Sequence, residues 1–365
     1  MRSVYEKYAE LLVRYSLYMK KGERLLISST YLAEPLVREV YREALRAGAH
    51  PETWISLNGI SRVLYDEGSM EQLQYVSPLY AYAVENFDAF LTIRAPFNVK
   101  ELQEVDGDKK KTAAMAQAHL HKLYQDRATA GSLKWSLCEF PTNAQAQECG
   151  MSAEDYEKFV FSACFLDHDD PKGRWQEVHE AQQHIVDLLN SRETIRYKGK
   201  DIDISFSTKG RRWVNSDGKH NMPSGEVFTF PVDDSVNGYV RFSYPGIYMA
   251  QEVEDIRLEV KNGEVVKWEA AKGTALLDSI LRIPGANRFG EAAIGTNKGI
   301  NRFTRNMLFD EKIGGTIHMA LGSAYGEAGG KNESAIHWDL LADMKEGAEI
   351  YADDEVIYRD GDFII

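Results

Sequence analysis

Two imidazoles and a carboxylate crowd into one stretch near the end of the chain: His318, His337 and Asp339, with the phenol of Tyr325 between the histidines. Imidazole nitrogen and carboxylate oxygen are ordinary ligands for a divalent ion, and their borderline-to-hard character suits Zn, Co, Mn or Fe(II). Residues i and i+2 of an extended strand share a face, so a strand through His337 and Asp339 lets both reach one ion. His318 belongs to an alternating run, Ile313 to Leu321, that reads as a second strand. Gly329, Gly330 and Asn332 between the two runs predict a loop that folds the chain back on itself. Either histidine alone is as well explained by a hydrogen-bonded core or surface residue. The pair, with Asp339 and a glycine-rich return, favours a metal.

Two more carboxylates stand in apolar surroundings. Glu226 follows Met222-Pro223-Ser224-Gly225 at the start of an apolar strand, and Glu291 lies between Gly290 and Gly295 in a run that is otherwise apolar. A carboxylate in such a place is costly to bury unless it is paired or metal-bound. Taken singly, each also reads as a surface glutamate in a loop.

The elements that must position these groups fall into two textures. Tyr5, Tyr8, Leu12, Tyr15 and Met19 keep helical spacing, with Gly22 as a stop. A strand at Leu25 to Ile27, a helix from Ala33 to Ala47 and a strand at Trp54 to Leu57 make a strand–helix–strand unit, which predicts an α/β half around a mainly parallel sheet. The alternation continues with a helix at Glu71 to Glu85, a strand at Ala89 to Ile93, a helix at Lys109 to Asp126 and a strand at Leu133 to Cys138. Helices from Ser152 toward Phe165 and from Arg174 to Asn190 close this half. Beyond it, short strands dominate. Hairpins are expected at Thr194–Tyr197 with Ile202–Phe206, and at Ile256–Val260 with Val265–Trp268 around Asn262-Gly263, a pair suited to a tight turn; one helix is expected near Thr274 to Leu281. The expected organisation is an α/β N-terminal domain over 1–190 and a strand-rich α+β domain over 191–365 that carries the metal site.

Two histidine pairs are decoys. His179 and His184 resemble a zincin motif with one residue too many, and at i,i+5 they leave the common helix face. His119 and His121 lie in an expected helix and point apart. All four are assigned to solvent or packing. No glycine-rich dinucleotide motif or P-loop is present, so nucleotide binding has no support.

Composition narrows the function class. The chain has 365 residues, 44% hydrophobic and 27% charged, with 56 acidic residues against 43 basic ones and a net charge of -13. That balance argues against nucleic acid, whose phosphates need clustered Lys and Arg. No stretch is long and apolar enough to span a bilayer, and none reads as a signal peptide. Cys138, Cys149 and Cys164 lack metal or redox spacing and read as reduced thiols of a cytoplasmic protein.

Several motifs together resemble the M29 aminopeptidase family, the aminopeptidase T and aminopeptidase S type. They are Asn221-Met-Pro-Ser-Gly-Glu226-Val-Phe, Gly290-Glu291 with Ile294-Gly-Thr-Asn297, Glu311-Lys312 with Gly315-Thr-Ile-His318, Tyr325, and Gly329-Gly-Lys-Asn-Glu-Ser-Ala-Ile-His337-Trp-Asp339. Lys134-Trp135, Phe140-Pro141-Thr142 with Ala144 and Ala146, and Gly150-Met-Ser-Ala-Glu154 extend the likeness over most of the chain. The resemblance implies a two-metal exopeptidase with ligands at Glu226, Glu291, His318, His337 and Asp339, two divalent ions (Zn, Co or Mn) and Tyr325 as a catalytic residue. It also implies peptide substrates with a free N-terminus and a homodimer that encloses the active sites. The chain is somewhat shorter than the better-known members, which bears on substrate range more than on chemistry. The general base is open among Glu226, Glu291 and Glu327.

Two other classes compete. Two histidines and a carboxylate also form the facial triad of a mononuclear Fe(II) ring-cleaving dioxygenase, and both Glu226 and Glu291 speak against it. A non-catalytic metal-binding protein is the third, since fold alone does not determine function.

Overall fold

A computed structural model describes residues 2–249, 251–324 and 329–365. Tyr325 and Glu327 lie outside the described residues. Two compact units emerge: Met1–Arg174 with Gly218–Pro223, and Trp175–Asp217 with Ser224–Ile365. The change of texture near residue 190 coincides with the end of the helix Pro171–Asn190, while the units themselves divide inside that helix.

The first unit is built on a five-stranded sheet. Its strands β1 (Arg24–Thr30), β2 (His50–Ser56), β3 (Ala89–Arg94) and β4 (Lys134–Glu139) lie in the order β2-β1-β3-β4, all parallel. Parallel neighbours need long crossovers, and helices such as Glu34–Arg46 and Gly107–Thr129 supply them. The central strands carry the unbroken apolar runs expected of strands covered on both faces, with Leu25, Ile27, Ala89 and Leu91 fully buried. The fifth strand is the two-residue segment Asn221–Met222, parallel to β4, so a short piece from much later in the sequence completes the sheet. The sequence periodicity suggests one helix over Glu71 to Glu85; the structure has three short ones, Ile60–Glu67, Met70–Leu73 and Pro78–Asn86. Pro78, at the start of the last, cannot donate a hydrogen bond to a preceding turn. The first helix runs Val4–Glu10 and passes into a π turn, Leu11–Ser16.

The second unit is strand-rich. One sheet has eight strands, among them both expected hairpins, Thr194–Gly199 with Ile202–Ser207 and Ile256–Lys261 with Glu264–Glu269. Asn262 and Gly263 both take positive φ, as a tight hairpin turn requires. A second sheet has five: β5 (Val214–Ser216), β6 (Glu226–Thr229), β7 (Phe289–Gly295), β8 (Thr316–Gly322) and β9 (His337–Asp343), in the order β9-β8-β7-β6-β5 and antiparallel throughout. Ile294, Ile317, Met319, Leu321, Trp338 and Leu340 from this sheet share one apolar cluster with Tyr197, Ile204, Phe206 and Phe242 of the eight-stranded sheet. That shared core leaves the opposite face of β6–β9 for other work.

Gly225 sets the entry to β6. Its φ is +114°, and a Cβ there would lie 2.6 Å from the Cβ of Asn297. The close approach lets Gly225 accept a hydrogen bond from the Thr296 N–H at 2.8 Å, which anchors the residue before Glu226. Gly225→Ala is expected to destabilise the second unit by roughly 2 kcal/mol or more, through steric overlap and a backbone angle that side chains avoid. A urea midpoint equal to that of the unaltered protein would contradict this placement.

Candidate metal centre

The five sequence-predicted ligands come from four adjacent strands, and strand register brings them to one face. Directly opposed residues of an antiparallel pair point the same way. Glu226 faces Gly295, and Phe228 faces Ala293. Ala293 faces His318, and Glu291 faces Ala320. Ala320 in turn faces Asp339, and Gly322 faces His337. With the strand period of two, Glu226, Glu291, His318, His337 and Asp339 all fall on the side away from the apolar core. Gly295, Ala293, Ala320 and Gly322 on the neighbouring strands carry no atom beyond Cβ, while Ser216 opposes Glu226 and Leu341 opposes His318 at the sides of the cluster.

Glu291 reaches this face through an irregularity. The register shifts between Phe289, opposite Leu321, and Glu291, opposite Ala320. A β-bulge adds one residue and reverses the alternation. Phe289 therefore enters the core, while Glu291 turns to the site. Gly290 is the residue accommodated, because a Cβ there would fall 2.3 Å from the Gly322 carbonyl oxygen.

The side chains converge closely. His318 Nε2 lies 3.5 Å from Glu226 Oε2 and 3.4 Å from Glu291 Oε1. His337 Nε2 lies 3.8 Å from Glu291 Oε2 and 3.3 Å from Asp339 Oδ1. Ligand atoms of Glu291, His337 and Asp339 all fall within 4.8 Å of one another. Glu291 thus turns one oxygen toward each imidazole. His337 Nδ1 sits 2.8 Å from the Ser323 carbonyl oxygen, an outer contact of the kind that fixes the ring and frees Nε2 to bind an ion.

Buried atoms without partners test the fit of a cation. Glu226 Oε2 and Asp339 Oδ1 are buried and make no hydrogen bond among the described residues. Buried polar atoms are nearly always satisfied, so such exceptions ask for a group not yet counted. A divalent ion bound by carboxylate oxygen and imidazole nitrogen suits this donor set.

Electrostatics point the same way. Burial works against charge on both imidazoles, but the surrounding carboxylates win. Glu291 and Glu226 lead in raising His318 to about 9, and Asp339 and Glu291 raise His337 to about 10. Burial also opposes charge on Asp339, yet His337 and His318 hold it down to about 2. Burial pushes Glu226, Glu291 and Glu311 above the ordinary carboxylate range. Without an ion, protons take the role of counter-charge.

Three functional neighbours carry no site signal of their own in the sequence. Glu311 and Lys312, which figure there only as part of a motif, ion-pair with each other beside Glu226. Gln182, between the decoy histidines, is buried; its Nε2 donates to the Glu226 carbonyl oxygen at 3.2 Å, and its Oε1 accepts from Thr296 at 2.7 Å. His179 lies 2.6 Å from Asp217, and His119, His121 and His184 are exposed. A glutamine hub has no recognisable spacing; only its partners reveal it.

Known proteins share this architecture. The sequence profile of the thermophilic metalloproteases, family M29, matches residues 2–363. Aminopeptidase 2 of Geobacillus stearothermophilus is 29% identical, with 98% of this chain and 97% of the relative covered. Aminopeptidase T of Thermus thermophilus is 28% identical over 98% and 95%. The solved structure of wild-type AmpT from Thermus thermophilus superposes with a TM-score of 0.86, at 25% identity, over 99% of each chain.

The raised imidazoles predict how the ion-free protein responds to pH. Imidazoles of an unfolded chain titrate near 6.5, so those held to about 9 and about 10 stabilise the fold fully below that point. Their contribution is lost as pH climbs through the folded-state values. Chelator-treated protein should therefore lose melting temperature from pH 7 to pH 10. Protein loaded with a divalent ion should lose less, because its imidazoles are already neutral ligands. An ion-free melting temperature that rises across this window would contradict the assignment.

Proposed function

The chain belongs to the M29 family of metalloproteases and is a metallo-aminopeptidase, and on that footing we propose that Glu226, Glu291, His318, His337 and Asp339 hold two divalent ions of the Zn, Co or Mn type. The observation that carries this reading is the convergence of all five on one sheet face, with buried donor atoms that lack hydrogen-bond partners. Glu291, with an oxygen toward each imidazole, would help hold the ions together with His318 and His337. Bound there, such ions would lower the pKa of a water and polarise the scissile carbonyl.

The chain's own groups do the rest. Ser323 orients His337, and Gln182 ties down the backbone of Glu226. The substrates we propose are peptides with a free N-terminus, whose α-ammonium suits a face rich in carboxylates. Tyr325 is proposed to donate its phenolic hydrogen to the oxyanion of the tetrahedral intermediate, a role that rests on the family resemblance. The second unit is then the catalytic one. None of the relatives compared is an oxygenase, and nothing favours ring cleavage.

The remaining assignments are coarser. Among the described residues no helix is long and apolar enough to cross a membrane, and Cys138, Cys149 and Cys164 are buried, in keeping with a proposed cytoplasmic location. A homodimer is supported by the helix Ile60–Glu67, which buries none of its residues and exposes Ile60, Val63 and Leu64 near the likewise exposed Leu57. Apolar surface of this kind is usually covered by a partner.

Four measurements test the reading. Protein dialysed against a chelator should not hydrolyse aminoacyl anilides until Zn, Co or Mn is restored, and N-acetylated peptides should resist the restored enzyme. Equal turnover of acetylated and free peptides would remove the exopeptidase mode. Glu226→Gln, Glu291→Gln, His318→Ala, His337→Ala and Asp339→Asn should each lower metal content and abolish most activity in folded protein; full activity in any one removes that residue from the set. Tyr325→Phe should keep metal content and KM while kcat falls about 10²-fold, the size of one oxyanion donor. Metal loss alongside rate would make the phenol a ligand instead.

A further inference from the structure

Lys312 has no exposed surface. Its Nζ lies 3.6 Å from Glu226 Oε1 and ion-pairs with Glu311. Burying an ammonium group is expensive, and replacing a buried ion pair by apolar side chains is often neutral or stabilising. Stability alone is therefore a poor reason for this lysine. Its backbone is held on both sides: the Lys312 N–H donates to the Phe309 carbonyl oxygen at 3.0 Å, and the Lys312 carbonyl oxygen accepts from Asn297 N–H at 3.0 Å. The ammonium thus approaches Glu226 from a braced position. The two oxygens of Glu226 are divided, Oε1 toward Lys312 and Oε2 toward His318 at 3.5 Å. Oε2 is buried without a hydrogen bond among the described residues, while Oε1 meets the ammonium at ion-pair distance.

We propose that Lys312 is a positioning residue of the metal centre. It occupies Oε1 of Glu226, leaves Oε2 as the single oxygen that Glu226 offers an ion, and keeps that carboxylate aimed when no ion is bound. Its fixed positive charge also sets how tightly the centre holds a cation, since affinity follows ligand charge and rigidity. This rests on the reading of Glu226 as a ligand.

The test is a cobalt titration of metal-free protein, followed by visible absorption, which weakens as cobalt gains ligands. In Lys312→Met, Glu226 is free to bind through both oxygens and the competing charge is gone. The cobalt band should lose about half its intensity, and cobalt should bind about tenfold more tightly. A lysine that merely supports the fold gives the opposite sign, weaker binding. Lys312→Arg, which keeps a cation, should retain the unaltered spectrum. Should Lys312→Met not fold, Lys312→Gln carries the same measurement with the same expected direction. An unchanged spectrum and affinity, or weaker binding, in the folded neutral variant overturns the proposal. Glu226→Gln separates the two levels. If it leaves the cobalt spectrum unchanged, Glu226 is no ligand and the underlying reading fails. If it alters the spectrum and the lysine variants do not, only the role of Lys312 fails.

Discussion

Negative charge gathered on a buried sheet face is the constraint on which the second unit depends. Glu226 and Asp339 are buried, Glu291 nearly so, and Glu311 stands beside them. Charges removed from water must be paired, protonated or bound to metal. Here the first two occur: Lys312 pairs with two of the carboxylates and the imidazoles keep their protons to unusually high pH, while Glu226 Oε2 and Asp339 Oδ1 make no hydrogen bond among the described residues. The proposed divalent ions would replace the protons and satisfy those oxygens at once. Binding and folding are thereby linked, as is usual where ligands must shed protons to accept a metal.

The fold meets this constraint with a two-sided sheet. The apolar face of β7–β9 packs into the common core, and that packing is what holds the costly face in place. Small residues, Gly295, Ala293, Ala320 and Gly322, stand between the proposed ligands in register. Outer contacts from Gln182, Ser323 and Asn297 fasten the strand ends at which Glu226 and His337 begin. Such bracing limits the movement available to the ligands, and metal sites lose affinity when it is removed.

The sequence by itself determined the chemistry and much of the architecture. His337 and Asp339 share a face because a strand repeats every two residues, and their spacing shows this before any contact is known. The turn at Asn262-Gly263, the parallel first sheet and the strand-rich second half follow from local pattern, and the proposed ligand set follows from motifs whose order matches a peptidase family. The tertiary structure decided what depends on residues far apart in the chain. Plain alternation puts Phe289 and Glu291 on one face; only the bulge at Gly290, set by pairing with β8, sends them to opposite sides. Nothing in the spacing of Lys312 distinguishes it from a solvated lysine, because its burial comes from elements that close over it. Gln182 gains its role from partners at Glu226 and Thr296, and Asn221–Met222 joins the first unit only by lying beside β4. Local preference is written in neighbours along the chain, whereas register, burial and charge pairing exist only once distant segments have met.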